Sequence, residues 1–89
     1  MAERDAKPLR FTLHALESMA KRGASQEEVS QAIAEAVWAP ARSGRFECAK
    51  DFPYNGDWHG KWYDTKQVVP VFKDEAGDTV LITVYVFYF

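Results

Sequence analysis

The last third of the chain carries a pattern that predicts a hairpin. Lys66 to Phe72 and Thr79 to Phe89 are two β-rich runs, separated by the polar, Gly-containing segment Lys73 to Asp78. Such an arrangement predicts an antiparallel pair. The second run is apolar on both sides. Val80, Ile82, Val84, Val86 and Tyr88 alternate onto one face, and Leu81, Thr83, Tyr85, Phe87 and Phe89 onto the other. A strand of this kind is central, or is covered by a partner. It also brings Thr83, Tyr85 and any nearby basic residue onto one rigid surface where a site could be built. Pro70 conflicts with the first run, because it cannot donate to a ladder, and it is expected to face an edge or mark a bulge.

Upstream the period changes. Leu9 to Phe11 predicts a short first strand. Thr12 is a natural N-cap for a helix over Leu13 to Arg22, with Ala15, Leu16, Met19 and Ala20 at helical spacing. Lys21 and Arg22 suit its last turn, and Gly23 suits the position after it. Ser25-Gln26-Glu27-Glu28 has the form of a capping box and opens a second helix, predicted to run from residue 26 to residue 38. Val29, Ala32, Ile33, Ala36 and Val37 make its apolar stripe. Arg45 to Phe52 alternates as a strand, with Phe46, Cys48 and Phe52 on one face. Pro53 to Asp57 reads as a turn, and Trp58 to Tyr63 leads into the next strand. The order is β-α-α-β-β-β. The expected fold is α+β, with two N-terminal helices packed on one face of an antiparallel sheet. Met1 to Pro8 is polar and expected to fray.

Composition narrows the picture. The chain has 89 residues, enough for one domain spanning 1–89. The formal net charge is −2, so bulk charge does not hold it to nucleic acid. Charge is uneven, however. Residues 1 to 24 contain Arg4, Lys7, Arg10, Lys21 and Arg22 against Glu3, Asp5 and Glu17, whereas residues 26 to 39 contain three glutamates and no base. The single cysteine, Cys48, fits a reducing compartment. No apolar run reaches membrane-spanning length or resembles a signal peptide, and the expectation is a cytoplasmic protein without membrane partners.

Two strings carry a resemblance. The first is Phe11-Thr-Leu-His14-Ala15, then Met19, Arg22-Gly23 and Ser25-Gln-Glu-Glu28-Val29. The second is Gly56-Asp-Trp58-His59-Gly60-Lys61-Trp62-Tyr63-Asp-Thr-Lys66-Gln-Val68, then Gly77-Asp78-Thr79-Val80-Leu-Ile82-Thr83-Val84-Tyr85. Together with the element order, they resemble a bacterial family of small domains of unknown function related to the RelE/ParE and BrnT-type toxins. The chain departs from that pattern at Glu17-Ser18 and at Pro70. The resemblance implies a RelE-like fold, a toxin-type endoribonuclease activity and a small antitoxin encoded alongside.

Metal-independent RNA cleavage needs proton-transfer groups and cations on the phosphate. His14 and His59 are the only histidines, and each is a candidate for proton transfer. Lys66 is a candidate phosphate ligand in the catalytic set, and Tyr85 an orienting group. Arg22, Arg45, Lys61 and Tyr63 are candidate RNA-binding residues, with tyrosines able to stack on bases. Six of the eight have a plainer explanation. His14 can be a structural histidine at a helix start, His59 a turn residue beside Trp58, and Arg22 a C-terminal cation. Lys61 and Lys66 can be solvated strand positions, and Tyr85 a core residue. Two histidines and one cysteine without close ligand spacing make no zinc site, no Gly-rich phosphate loop precedes a helix, and no cofactor is implied. Cys48 reads as a small buried hydrophobe.

The leading expectation is therefore a toxin-like domain that contacts RNA, with cleavage left open. The alternative is a non-catalytic interaction module that binds a partner through the C-terminal strand. Phe87, Tyr88 and Phe89 need cover. The expected cover is the Trp58 to Trp62 segment in part, and a homodimer or antitoxin contact for the rest.

Overall fold

The computed structural model describes residues 7–89. Their element order is β1 (Leu9–Phe11), α1 (Leu13–Arg22), α2 (Gln26–Glu35), β2 (Ala39–Pro40), β3 (Phe46–Glu47), β4 (Lys50–Trp58), β5 (Lys61–Asp74) and β6 (Thr79–Tyr88), with a short 3₁₀ turn at Arg42–Gly44. The class is α+β, and the helices are N-terminal. The sheet has six strands in the order β1-β6-β5-β3-β2, and β4 also pairs with β5. It is mixed, not purely antiparallel, because β1 runs parallel to β6. The reason is topological: β1 feeds α1, which crosses the sheet and leaves β1 alongside the final strand.

Both helices begin where their caps place them. Thr12 Oγ1 accepts the Ala15 N–H at 3.1 Å and donates to the Leu81 carbonyl at 2.8 Å, fixing α1 to β6. Gly23 ends α1 in the left-handed region (φ 84°), its N–H donating to the Met19 carbonyl. The capping box of α2 is complete, with Glu28 N–H on Ser25 Oγ and Ser25 N–H on Glu28 Oε1. The end of α2 differs from expectation. Ala36 is already extended, so the helix stops at Glu35. Trp38 instead turns back, donates its indole N–H to the Ile33 carbonyl at 2.9 Å and packs on Phe46 and Phe72. Val37 is thereby thrown out to solvent, 85% exposed.

The core lies between the helices and one face of the sheet. Ala15, Met19, Val29, Ala32 and Ile33 meet Cys48, Val68, Phe72, Leu81 and Val84. The β5–β6 hairpin forms in the expected antiparallel sense, from Lys66↔Tyr88 to Asp74↔Thr79. One bulge changes its phase. Val71 pairs with Thr83 but Phe72 with Leu81, leaving Ile82 as the extra residue. Leu81 therefore shares the core with Val84, correcting the simple alternation. Thr83, Tyr85, Phe87 and Phe89 remain on the helix-free face.

Pro70 is fully buried in β5. Its carbonyl accepts from Cys48 N–H at 3.3 Å. Its missing donor thus faces the break between β3 and β4, where no strand residue needs it. The Arg45 to Phe52 run is interrupted at that break. Pro53 to Asp57 is not a turn: it continues β4 through an irregularity between Pro53 and Gly56, with Asn55 at φ 49°. The turn is His59-Gly60, both at positive φ (52° and 85°), joining the pair Trp58↔Lys61.

Of the segment expected to fray, residues 1–6 lie outside the described residues. Lys7 and Pro8 are held. Lys7 Nζ pairs with Asp74 and donates to the Glu75 carbonyl, and the Pro8 carbonyl accepts from Thr79 N–H at 2.9 Å.

Candidate functional site

The candidate residues separate into two clusters and one outlier. The first cluster closes over the corner between the helices. Lys66 Nζ donates to Glu28 Oε2 at 2.8 Å and to the Gly23 carbonyl at 2.9 Å, and lies over the Tyr54 ring. It thus places a cation at the C-terminus of α1 and binds an anion in the first turn of α2, the favourable sign at both helix ends. Its side chain is only 10% exposed, so it is not the solvated position its strand alternation allowed.

Aromatic rings seal this corner. The Tyr88 hydroxyl donates to the Arg22 carbonyl at 2.7 Å. Trp58 lies nearly parallel between Tyr88 and His59, with centroids 4.7 Å and 4.3 Å away. Tyr54 and Tyr63 flank Tyr88, and Lys61 lies over Tyr63. Trp58 therefore covers Tyr88 on the helix side, and the expected cover of Phe87 and Phe89 by this segment is not formed. His59 is an exposed turn residue stacked on an indole.

Tyr88 reports this environment. Burial, and then the neighbouring Tyr54 and Glu28, push its phenol up to about 12. The folded state therefore keeps its proton where an unfolded tyrosine, near pH 10, loses it. The sign follows: this contribution to stability is complete below about pH 10 and is lost as pH rises from there through about 12. Phenolate absorbance during a base titration is expected to show one of the four tyrosines ionising late, with Tyr88→Phe removing that late step. A Tyr88→Phe titration that retains the late step would contradict the assignment.

The second cluster lies across the sheet. A tight connection between β2 and β3 puts Ser43 and Gly44 at positive φ (60° and 72°) and projects Arg42 and Arg45 over the helix-free face. They border an open cleft of about 720 Å³ whose other walls include Glu47, Val71, Thr83 and Tyr85. Arg45 Nε is buried there, without a hydrogen-bond partner among the described residues. On the edge away from β5, β1 pairs only with Thr79, Val80 and Leu81, and past Leu81 no other strand among the described residues covers β6 there. Arg22 reaches that open edge, donates to the Val84 carbonyl at 2.9 Å and sets its guanidinium 4.9 Å from the centre of the Tyr85 ring. Ser18 Oγ accepts from Val84 N–H at 3.2 Å. Tyr85 keeps 45% of its surface exposed, so it is not a core residue.

The structure thus joins Arg22, Arg45 and Tyr85 on one face, and His59, Lys61, Tyr63 and Lys66 at the helix corner. His14 joins neither. It is exposed in the first turn of α1, whereas Arg22 is eight residues on, about 12 Å along the helix. The two histidines are not brought together, and Lys66 engages neither. Sequence reasoning missed Arg42. Its only signal was position: an arginine three residues before Arg45, flanking a Ser-Gly pair able to turn tightly.

Among the described residues no group of His, Cys, Asp and Glu could hold a metal ion, and no helix is long and apolar enough to cross a membrane. Compared with family models, curated proteins and solved structures, the chain matches none.

Proposed function

We propose that this is an RNA-binding domain of the toxin-like kind that its sequence resembles, and that it binds through the helix-free face of the sheet. The observation that carries the reading is the convergence of Arg22, Arg42 and Arg45 around Tyr85. Guanidinium groups recognise phosphate through their paired N–H donors. The net charge of −2 is no obstacle, because a local cluster sets the field at the site. The proposal is binding rather than cleavage. Of the four candidate catalytic residues only Tyr85 borders the cleft, so no proton-transfer pair supports chemistry there.

The test is fluorescence anisotropy with a labelled oligoribonucleotide across a salt series. Arg45→Ala is expected to weaken binding by about tenfold and to reduce the slope of log affinity against log salt by roughly one. Wild-type protein that fails to bind RNA at low salt would overturn the reading. Unchanged affinity and slope in Arg45→Ala would move the site elsewhere.

One observation favours the alternative, a partner on the C-terminal strand. The β6 edge is open beyond Val84, and Phe87 and Phe89 stand 53% and 58% exposed. An antitoxin strand or a second copy would be the partner in that case.

A further inference from the structure

We propose that the helix-free face takes RNA in unpaired form, with the rings of Tyr85, Phe87 and Phe89 each stacking one base. This rests on the RNA-binding reading above and adds the strand state and the number of bases.

The three rings occupy alternate positions on one side of β6, opposite Val69, Gln67 and Thr65 of β5. Phe89 stays in the ladder through both of its backbone bonds with Thr65, at 2.8 Å and 3.0 Å. Each residue is about half exposed, at 45%, 53% and 58%, with Arg22 against the Tyr85 ring. Alternate residues of a strand stand about 6.8 Å apart. Nucleotides within a duplex strand rise only about 3.4 Å, with their faces already stacked on one another. A base can reach each ring only if the strand is unstacked and extended, which selects unpaired RNA.

Charge sets the path of the backbone. The arginine cluster lies at the Tyr85 end, where Arg22 comes around the open β6 edge and Arg42 and Arg45 border the cleft. The carboxylates on this face lie beyond β5 from that edge, and one of them, Glu47, lines the cleft beside Arg42 and Arg45. Glu47 pairs with Val71, and Asp51 pairs with Gln67 and accepts from its side-chain amide at 2.9 Å. Phosphates therefore pass from the cleft to Arg22 at the β6 edge and on past Phe87 to Phe89, away from Asp51, and the bases lie over the rings. Gln67, directly across from Phe87, retains its amide oxygen for a base edge.

The experiment compares a labelled unpaired oligouridylate with an RNA duplex of the same length. The unpaired strand is expected to bind at least about tenfold more tightly. Phe87→Ala is expected to weaken it by about tenfold, with Phe87→Trp restoring most of the loss, while duplex binding changes little. Thermal melts confirm that these exposed substitutions leave the fold intact. Equal binding of both forms, still dependent on Arg45, would overturn the ladder and leave the arginine site standing. No binding of either form would overturn both. If Phe87→Ala leaves RNA affinity unchanged but breaks up a dimer in light scattering, the rings belong to a protein interface and the ladder is wrong.

Discussion

Lys66→Met is expected to destabilise the domain by about 2–3 kcal/mol, a fall in melting temperature of roughly 8–24 °C for a chain of this size. Methionine keeps most of the aliphatic stem, so the loss reports the charge. That charge serves three groups at once: the Glu28 carboxylate, the Gly23 carbonyl and the Tyr54 ring. Removing it leaves a carboxylate only 21% exposed with no cation, and a helix C-terminal carbonyl without its donor. Breaking a fully buried pair costs about 3–5 kcal/mol, and the residual exposure of both partners lowers the figure. Glu28→Gln should lower the cost of Lys66→Met, because the orphaned charge is then absent, and a double-mutant cycle measures the coupling. A Lys66→Met protein that melts with the wild type would refute the clamp.

This outcome governs how a biological assay is read. If expression of the chain slows bacterial growth and a Lys66 substitution relieves it, the relief follows from lost fold unless the melt is unchanged. Arg45 is the more informative position. It is half-buried beside the exposed 42–44 turn, and its Nε has no hydrogen-bond partner to lose among the described residues. Arg45→Ala therefore separates binding from stability, where Lys66 cannot.

How much of this was legible depended on the range of the interactions. Ser25 and Glu28 announce a helix start because the capping bonds span three residues, and α2 begins there. The β5–β6 hairpin was legible because alternation and a polar turn are local. The end of α2 was not. Trp38 leaves the helix to reach Phe46 and Phe72, partners far along the chain. Pro53-Tyr54-Asn55-Gly56-Asp57 has stronger turn composition than His59-Gly60, yet Asn55 spends its positive φ on an irregularity inside β4. The extra residue Ile82 has no local sign at all, and it decides which face Leu81 joins. For the site, residue types were readable but neighbourhoods were not. Lys66 looked like a phosphate ligand because Glu28 lies in a distant helix. Arg45 and Tyr85 were named, and the sheet was expected to gather basic residues near Thr83 and Tyr85. Arg42 needed the fold of the β2–β3 connection to be seen.

Gly23→Ala is expected to cost about 2–5 kcal/mol, from two separable sources. The first is backbone. Gly23 sits at φ 84°, and a residue with a side chain in the left-handed region pays about 1–2 kcal/mol. The second is space. A Cβ at this position would stand 2.5 Å from the Tyr88 hydroxyl oxygen and 2.9 Å from the Trp58 ring. Neither neighbour can yield freely. Tyr88 is tied to the Arg22 carbonyl and Trp58 is held between Tyr88 and His59. Overpacking of that kind adds about 1–3 kcal/mol. Shifting Tyr88 would also disturb the carbonyl end of α1, where Lys66 binds the Gly23 oxygen. Tyr88→Phe removes the oxygen that the Cβ meets. In that background Gly23→Ala should cost about 1 kcal/mol less, leaving the backbone term and the contact with the Trp58 ring. Chemical denaturation of the four proteins of this cycle decides the matter. Equal costs of Gly23→Ala in both backgrounds would show that the Tyr88 hydroxyl moves aside freely, and that its crowding against residue 23 adds nothing to the requirement for glycine.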